Sequence, residues 1–137
     1  METEQNRAAV QAIIDALSNR DIEMVLAHIH DEGSWSIPYH TDHFPYGVKT
    51  KAEFGERAGA FLSTFSKYEM RIHGIVADGD RVAVEASATG IGNNGVNYSN
   101  IYHISFAMKD GKAYKVLEFL DPFLALDYIR QINTVLP

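Results

Sequence analysis

The chain has 137 residues, 18 acidic against 12 basic side chains for a formal net charge of −6, and no cysteine. That length encloses one hydrophobic core, so a single domain over residues 1–137 is expected. An acidic surface repels a phosphate backbone and sets nucleic acid aside as a partner, and without cysteine there are no disulfides, thiolate metal sites or cysteine nucleophiles. The opening METEQNRAAV has neither the basic nor the apolar segment of a signal peptide, and no run approaches the ~18 apolar residues of a membrane span. The expectation is a soluble, cytoplasmic protein with no membrane partner.

In chain order, Val10, Ile13, Ile14 and Leu17 fall at helical spacing and predict a first helix. Ile22, Val25, Leu26 and Ile29 repeat the pattern, with Asp21 placed as N-cap. Residues 33–39 (GSWSIPY) are too short for a helix and end at a proline, which reads as an edge strand. After a polar, aromatic loop, Thr50-Lys51-Ala52-Glu53 is a capping box that opens a third helix, with Phe54, Ala58, Phe61, Leu62 and Phe65 as its stripe. From Tyr68 the period becomes two, with Met70, Ile72 and Val76 sharing a face. An Asp78-Gly79-Asp80 turn leads to a strand through Val82, Val84, Ala86 and Ala88. Residues 98–109 form a third long strand, Asp110-Gly111 a second turn, and residues 113–120 a fourth. Asp121-Pro122 then starts a last helix that points Ala125, Tyr128, Ile129, Ile132 and Leu136 inward.

Residues 90–95 read GIGNNG, the Gly-x-Gly-x-x-Gly spelling of a dinucleotide loop. Such a loop works only between a strand and a helix, where the pyrophosphate meets the helix N-terminus. Here it joins two strands, so it reads as a hairpin turn.

Two stretches carry a family resemblance. "IIDALSNRDIEMVLAHIHDEGSWSIP" resembles the opening helical pair of the nuclear transport factor 2-like superfamily, which includes ketosteroid isomerase and the SnoaL-like polyketide cyclases. "NYSNIYHISFAMKDGKAYKVLEFLDP" resembles its closing hairpin, and residues 118–122 (EFLDP) are similar to a segment of the phenazine-biosynthesis A/B proteins. The resemblance implies an α+β fold: a cone-shaped, curved antiparallel sheet with three to four helices on its concave face. It also implies a pocket at the open end and a homodimer through the opposite sheet face, where His73, His103, Glu85 and Ser105 would lie. Two departures matter. Ketosteroid isomerases place a base aspartate where this chain has Ile37 and a tyrosine where it has Ile13 and Ile14, so steroid isomerisation is not expected. The Arg-x-Asp pair of limonene-epoxide hydrolases is missing from RVAVEASATG, although their second acidic residue has a counterpart in Glu118.

Strand parity reaches Glu118 independently. Met70, Ile72, Val82, Val84, Ala86, Tyr102, Ile104 and Phe106 share the apolar face, with Asn100 and Tyr98 near its end. A three-residue turn with a glycine bulge at 110–111 would add Tyr114, Val116, Glu118 and Leu120. A strict two-residue turn would put Asp121 inside instead. Lys115 favours the first arrangement, because lysine is rarely tolerated in a core. A carboxylic acid buried there would titrate nearer neutrality and suit general acid–base work, with Asn100 orienting it or meeting a substrate carbonyl. Against this, Glu118 could be a satisfied rim residue, Asp121 an N-cap, and Asn100 a bond to loop backbone.

His40 and His43 flank Asp42 in the loop, and His28 and His30 lie upstream, but neither pair has the i, i+4 spacing of a helical metal site, and no metal or cofactor is expected. His43 is instead a candidate catalytic partner over the pocket mouth. Trp35, Tyr39, Phe61, Tyr98 and Tyr102, with Asp121, are the candidate substrate-binding residues; an aromatic lining suits a small hydrophobic or aromatic molecule. Isomerisation, cyclisation or dehydration by Glu118 is the expected activity, and a non-catalytic ligand-binding or dimerisation module is the alternative.

Overall fold

The computed structural model describes residues 2–39 and 47–135, with the side chains of 134 and 135 excepted. The elements run α1 (Glu2–Ser18), α2 (Ile22–Ala27), β1 (Ile29–Ser36), β2 (Val48–Thr50), α3 (Lys51–Leu62), β3 (Phe65–Asp78), β4 (Arg81–Gly92), β5 (Asn97–Lys109), β6 (Lys112–Leu120) and α4 (Pro122–Val135). This is an α+β fold: among the described residues, six strands in the order β2-β1-β6-β5-β4-β3 form one curved, unclosed sheet, with four helices. α1 packs over β3, β4 and β6, α3 against β1, and α4 against β5. Val10, Ile13, Ile14, Val84, Ile104, Phe106 and Val116 fill the core between helices and sheet, each at most 1% exposed. Among the described residues no helix is long and apolar enough to cross a membrane.

Local chemistry explains most boundaries. The Asp21 side chain accepts from Met24 N at the start of α2, and Thr50 and Glu53 close the reciprocal capping box of α3. Both helices are shorter than their apolar stripes suggest: Ile29 and Phe65 are buried as the first residues of β1 and β3. A strand entering the core satisfies the same apolar spacing as one more helical turn. The GIGNNG segment is a hairpin end in which Gly95 adopts φ +86°, and Gly92 N donates to Val96 O at 2.7 Å.

Three expectations need correction. The segment around Trp35 is not an edge strand: β1 lies between β2 and β6, antiparallel to one and parallel to the other. On β3 a bulge at His73, between the pairs Ile72–Ala86 and Gly74–Glu85, reverses the parity. Val76 therefore points out at 70% exposure, and Ile75 and Ala77 pack on the core instead. The third correction concerns the last hairpin. Asp110 and Gly111, at φ +53° and +75°, form a strict two-residue turn closed by the Lys109–Lys112 pair. The parity that this turn would give is undone two residues later. Met108 pairs with Ala113 but Ala107 pairs with Lys115, leaving Tyr114 as the bulged residue. From there even positions face even positions, and Ile104 pairs with Glu118. Glu118 is inside because of Tyr114, not because of the turn, and Tyr114 itself leaves the apolar row to sit edge-on to His30 and beneath the Lys109 ammonium.

Candidate active site

A cavity of about 320 Å³ opens between the sheet, α3 and α4. Its walls are apolar and aromatic, and they include Trp35, Phe54, Phe61, Tyr68, Tyr102 and Tyr128. Exposed lining residues, Gly47, Arg57 and Asn133 among them, mark the mouth. Glu118 is enclosed at the sheet side, and what surface it keeps faces the cavity it lines. Burial pushes its carboxyl up to about 7, and a hydrogen bond from Trp35 pulls in the opposite direction.

That hydrogen bond, from Trp35 Nε1 to Glu118 Oε1 at 2.8 Å, follows from the parallel β1–β6 pairing. Trp35 lies opposite Val116, which puts its indole beside the next inward residue of β6, Glu118. The indole is 2% exposed, stacked on Phe54 with centroids 4.2 Å apart and edge-on to Phe106 at 5.8 Å. Packing on two sides fixes the ring, so the N–H is held on one carboxyl oxygen. Sequence reasoning placed Trp35 in the lining but did not find this bond, because the parallel pairing has no local sequence signal.

A second polar group lies along β5. The Tyr98 and Tyr102 hydroxyls are 2.6 Å apart, and Asn100 Nδ2 donates to Tyr98 Oη at 2.9 Å. Tyr68 shares this cluster, with Tyr102 as its side-chain partner. Burial raises the hydroxyl pKa of both Tyr68 and Tyr102, and the neighbouring tyrosines and Glu118 add to it. These hydroxyls stay protonated and can donate into the cavity. Asn100 itself, 2% exposed, does not line the cavity and reaches backbone rather than the Glu118 carboxyl. Its Oδ1 accepts from Ile101 N (2.8 Å) and Asp121 N (3.0 Å), and its Nδ2 also donates to Asp121 O (2.9 Å). Two backbone donors on Oδ1 settle the amide orientation.

The remaining candidates fall in different places. Phe61, Tyr98 and Tyr102 line the cavity with Trp35 and Glu118. Asp121 caps α4, accepting from Phe123 N at 2.9 Å and Leu124 N at 3.3 Å. Tyr39 lies outside the lining and straddles the end of β6, donating to Leu120 O at 2.7 Å and accepting from Leu120 N at 3.3 Å. His43, with His40, Asp42, Phe44 and Tyr46, lies outside the described residues. His30 faces the Asp110 carboxylate at 3.5 Å. Among the described residues no three histidines or carboxylates gather in a way that would hold a metal ion. Missed by sequence reasoning were the wall positions Tyr68 and Tyr128 and the two cations Lys49 and Arg57. The strand alternation from Tyr68 was a usable signal, whereas nothing local marks Lys49.

A cone of helices and curved sheet around an apolar cavity, with the Glu118 carboxyl turned inward, defines a class of small-pocket α+β proteins. The chain belongs to the SnoaL-like domain family, whose sequence profile matches residues 10–116. No curated protein matches the chain in sequence. Among solved structures it is similar to an LEH-like epoxide hydrolase of M. tuberculosis, at 20% identity over 99% of this chain and 97% of that one, with a TM-score of 0.75. The BvnE pinacolase of Penicillium brevicompactum superposes with a TM-score of 0.83 at 11% identity, covering 96% and 93% of the two chains. TerC co-crystallized with polyporic acid shares 22% identity over 94% of this chain and 98% of that one, with a TM-score of 0.75. At these identities the likeness is one of fold.

Proposed function

We propose that the protein is a small-molecule enzyme in which Glu118 transfers a proton to or from a substrate held in the aromatic cavity, without a cofactor. The observation that carries this reading is the Glu118 carboxyl, the only one among the described lining residues, enclosed in an apolar cavity and pushed up to about 7. A group poised near neutrality can take a proton and return it in one cycle. Isomerisation, cyclisation and dehydration all need that exchange next to an oxygen function, and Tyr68 and Tyr102 supply hydroxyl donors on the same wall. Trp35 holds the carboxyl in place, and Asn100 holds the tyrosine strand against the start of α4. His43, four residues before Gly47 in sequence, is retained as a candidate partner. The enzymatic neighbours in the fold comparison, a hydrolase and a pinacolase, support catalysis over passive binding. The polyporic acid complex supports a flat, oxygenated ligand.

The sheet's outer face carries Ile101 at 69% and Phe119 at 40% exposure, which supports a homodimer through that face. The test of the catalytic reading uses tetralone, a flat ketone with acidic α-hydrogens, in D2O. Wild-type protein is expected to speed α-deuteration seen by proton NMR, and Glu118→Gln to lower that rate by about a hundredfold while tetralone still binds. Equal rates in the two proteins would remove Glu118 from the chemistry.

A further inference from the structure

β2 inverts the pattern expected of a short edge strand. Its apolar Val48 is 70% exposed, while Lys49 is half-buried and lines the cavity. Ordinary patterning would turn the valine in and the lysine out. The inversion is imposed by register, since Lys49 pairs with Trp35 and directly opposed residues share a face. Lys49 therefore stands on the cavity side, next to the indole that holds Glu118. Among the described residues the Lys49 ammonium makes no ion pair or side-chain hydrogen bond: Asp31 pairs with Lys51 at 3.0 Å, and Glu53, which Lys49 influences through space, has its carboxyl in the capping box. A second cation lines the cavity from α3. Arg57 follows Phe54 by three positions and precedes Phe61 by four on α3, and all three line the cavity.

Among the described residues lining the cavity, these two cations are the only charged ones besides Glu118, in a chain whose formal charge is −6. We propose that the cavity takes an organic anion, a carboxylate or acidic enol on an apolar ring system, with its charged oxygens at Lys49 and its rings on Trp35 and Phe61. This deepens the assignment of a ligand to the cavity and does not depend on Glu118 being catalytic. Lys49 is then the residue that selects for charge: a half-buried ammonium rewards an anion and gives a neutral analogue of the same shape nothing in return.

Calorimetric titration with naphthoate and its methyl ester tests this, at a pH of about 6, where naphthoate is an anion and the Glu118 carboxyl is largely protonated. The wild type is expected to bind naphthoate at least about tenfold more tightly than the ester. Raising the salt from about 50 to about 500 mM should weaken only the naphthoate. Lys49→Met, which keeps the length of the side chain, is expected to remove the preference while ester binding persists, and Lys49→Arg to retain it. An ester bound as tightly as naphthoate by the wild type overturns the proposal and leaves the cavity a neutral-ligand site. So does a preference that survives in Lys49→Met. Failure of both compounds to bind would instead remove the cavity itself as a ligand site. The salt series needs no variant, so it decides the matter even if Lys49→Met does not fold.

Discussion

Glu118 ties stability to pH in the direction opposite to most carboxylates. Its folded pKa of about 7 lies above the ordinary value of 4.5, so between those values the folded state binds the proton that the unfolded chain has released. Stability from this residue is complete below about pH 4.5 and falls as pH rises through about 7, by up to about 3 kcal/mol. Urea unfolding at about pH 5 and about pH 8.5 should show that loss in the wild type and a flatter profile in Glu118→Gln. Trp35→Phe probes the other half of the pair. The indole N–H favours the ionised carboxylate, so removing it is expected to raise the Glu118 pKa above its wild-type value. A carbon-13 NMR titration of the carboxyl reads this directly, and an unchanged midpoint would mean that the 2.8 Å hydrogen bond has no hold on the proton.

At the level of elements, the bulge at Tyr114 determines which acid reaches the cavity. The strict Asp110-Gly111 turn alone would present Phe119 and Asp121 inward and leave Glu118 in solvent. Deleting Tyr114 removes the extra residue itself and joins Ala113 to Lys115, so Lys115 stays opposite Ala107 and Glu118 stays opposite Ile104. The variant is therefore expected to keep the pH-dependent component of its stability in denaturant unfolding. Loss of that component would show that the bulge does more than supply the odd residue. The same element-scale logic applies to Lys49, whose inward position follows from the pairing of β2 with β1 and not from its own chemistry.

For the molecule as a whole, two faces of one sheet have separate tasks. The inner face meets α1, α3 and α4 and closes the cavity, and the outer face leaves Ile101 exposed opposite Ser87 on β4. In the proposed homodimer this face is covered. Ile101→Lys is then expected to shift the protein towards monomer in sedimentation equilibrium, with little change in tetralone binding, because Ile101 lies on the far side of the sheet from the cavity. A wild type that sediments as a monomer would end the dimer proposal and leave the cavity reading intact.

Much was legible in the sequence alone. Helix stripes, the capping box at Thr50, the Asp-Gly turns and the period-two strands depend on neighbours within a few residues, and those signals located most of the elements and read GIGNNG as a turn. They also brought Glu118, Trp35, Phe61, Tyr98 and Tyr102 forward as candidates, since parity along a strand is local. The tertiary structure decided what depends on partners distant in the chain. These are the parallel β1–β6 pairing that sets Trp35 on Glu118, the bulges at His73 and Tyr114 that reset parity, and the pairing that turns Lys49 inward. It also placed Asn100 on backbone instead of on the carboxyl. In each of these cases the side chain's direction is set by hydrogen bonds to a strand far away in sequence, and no periodicity in the segment itself carries that information.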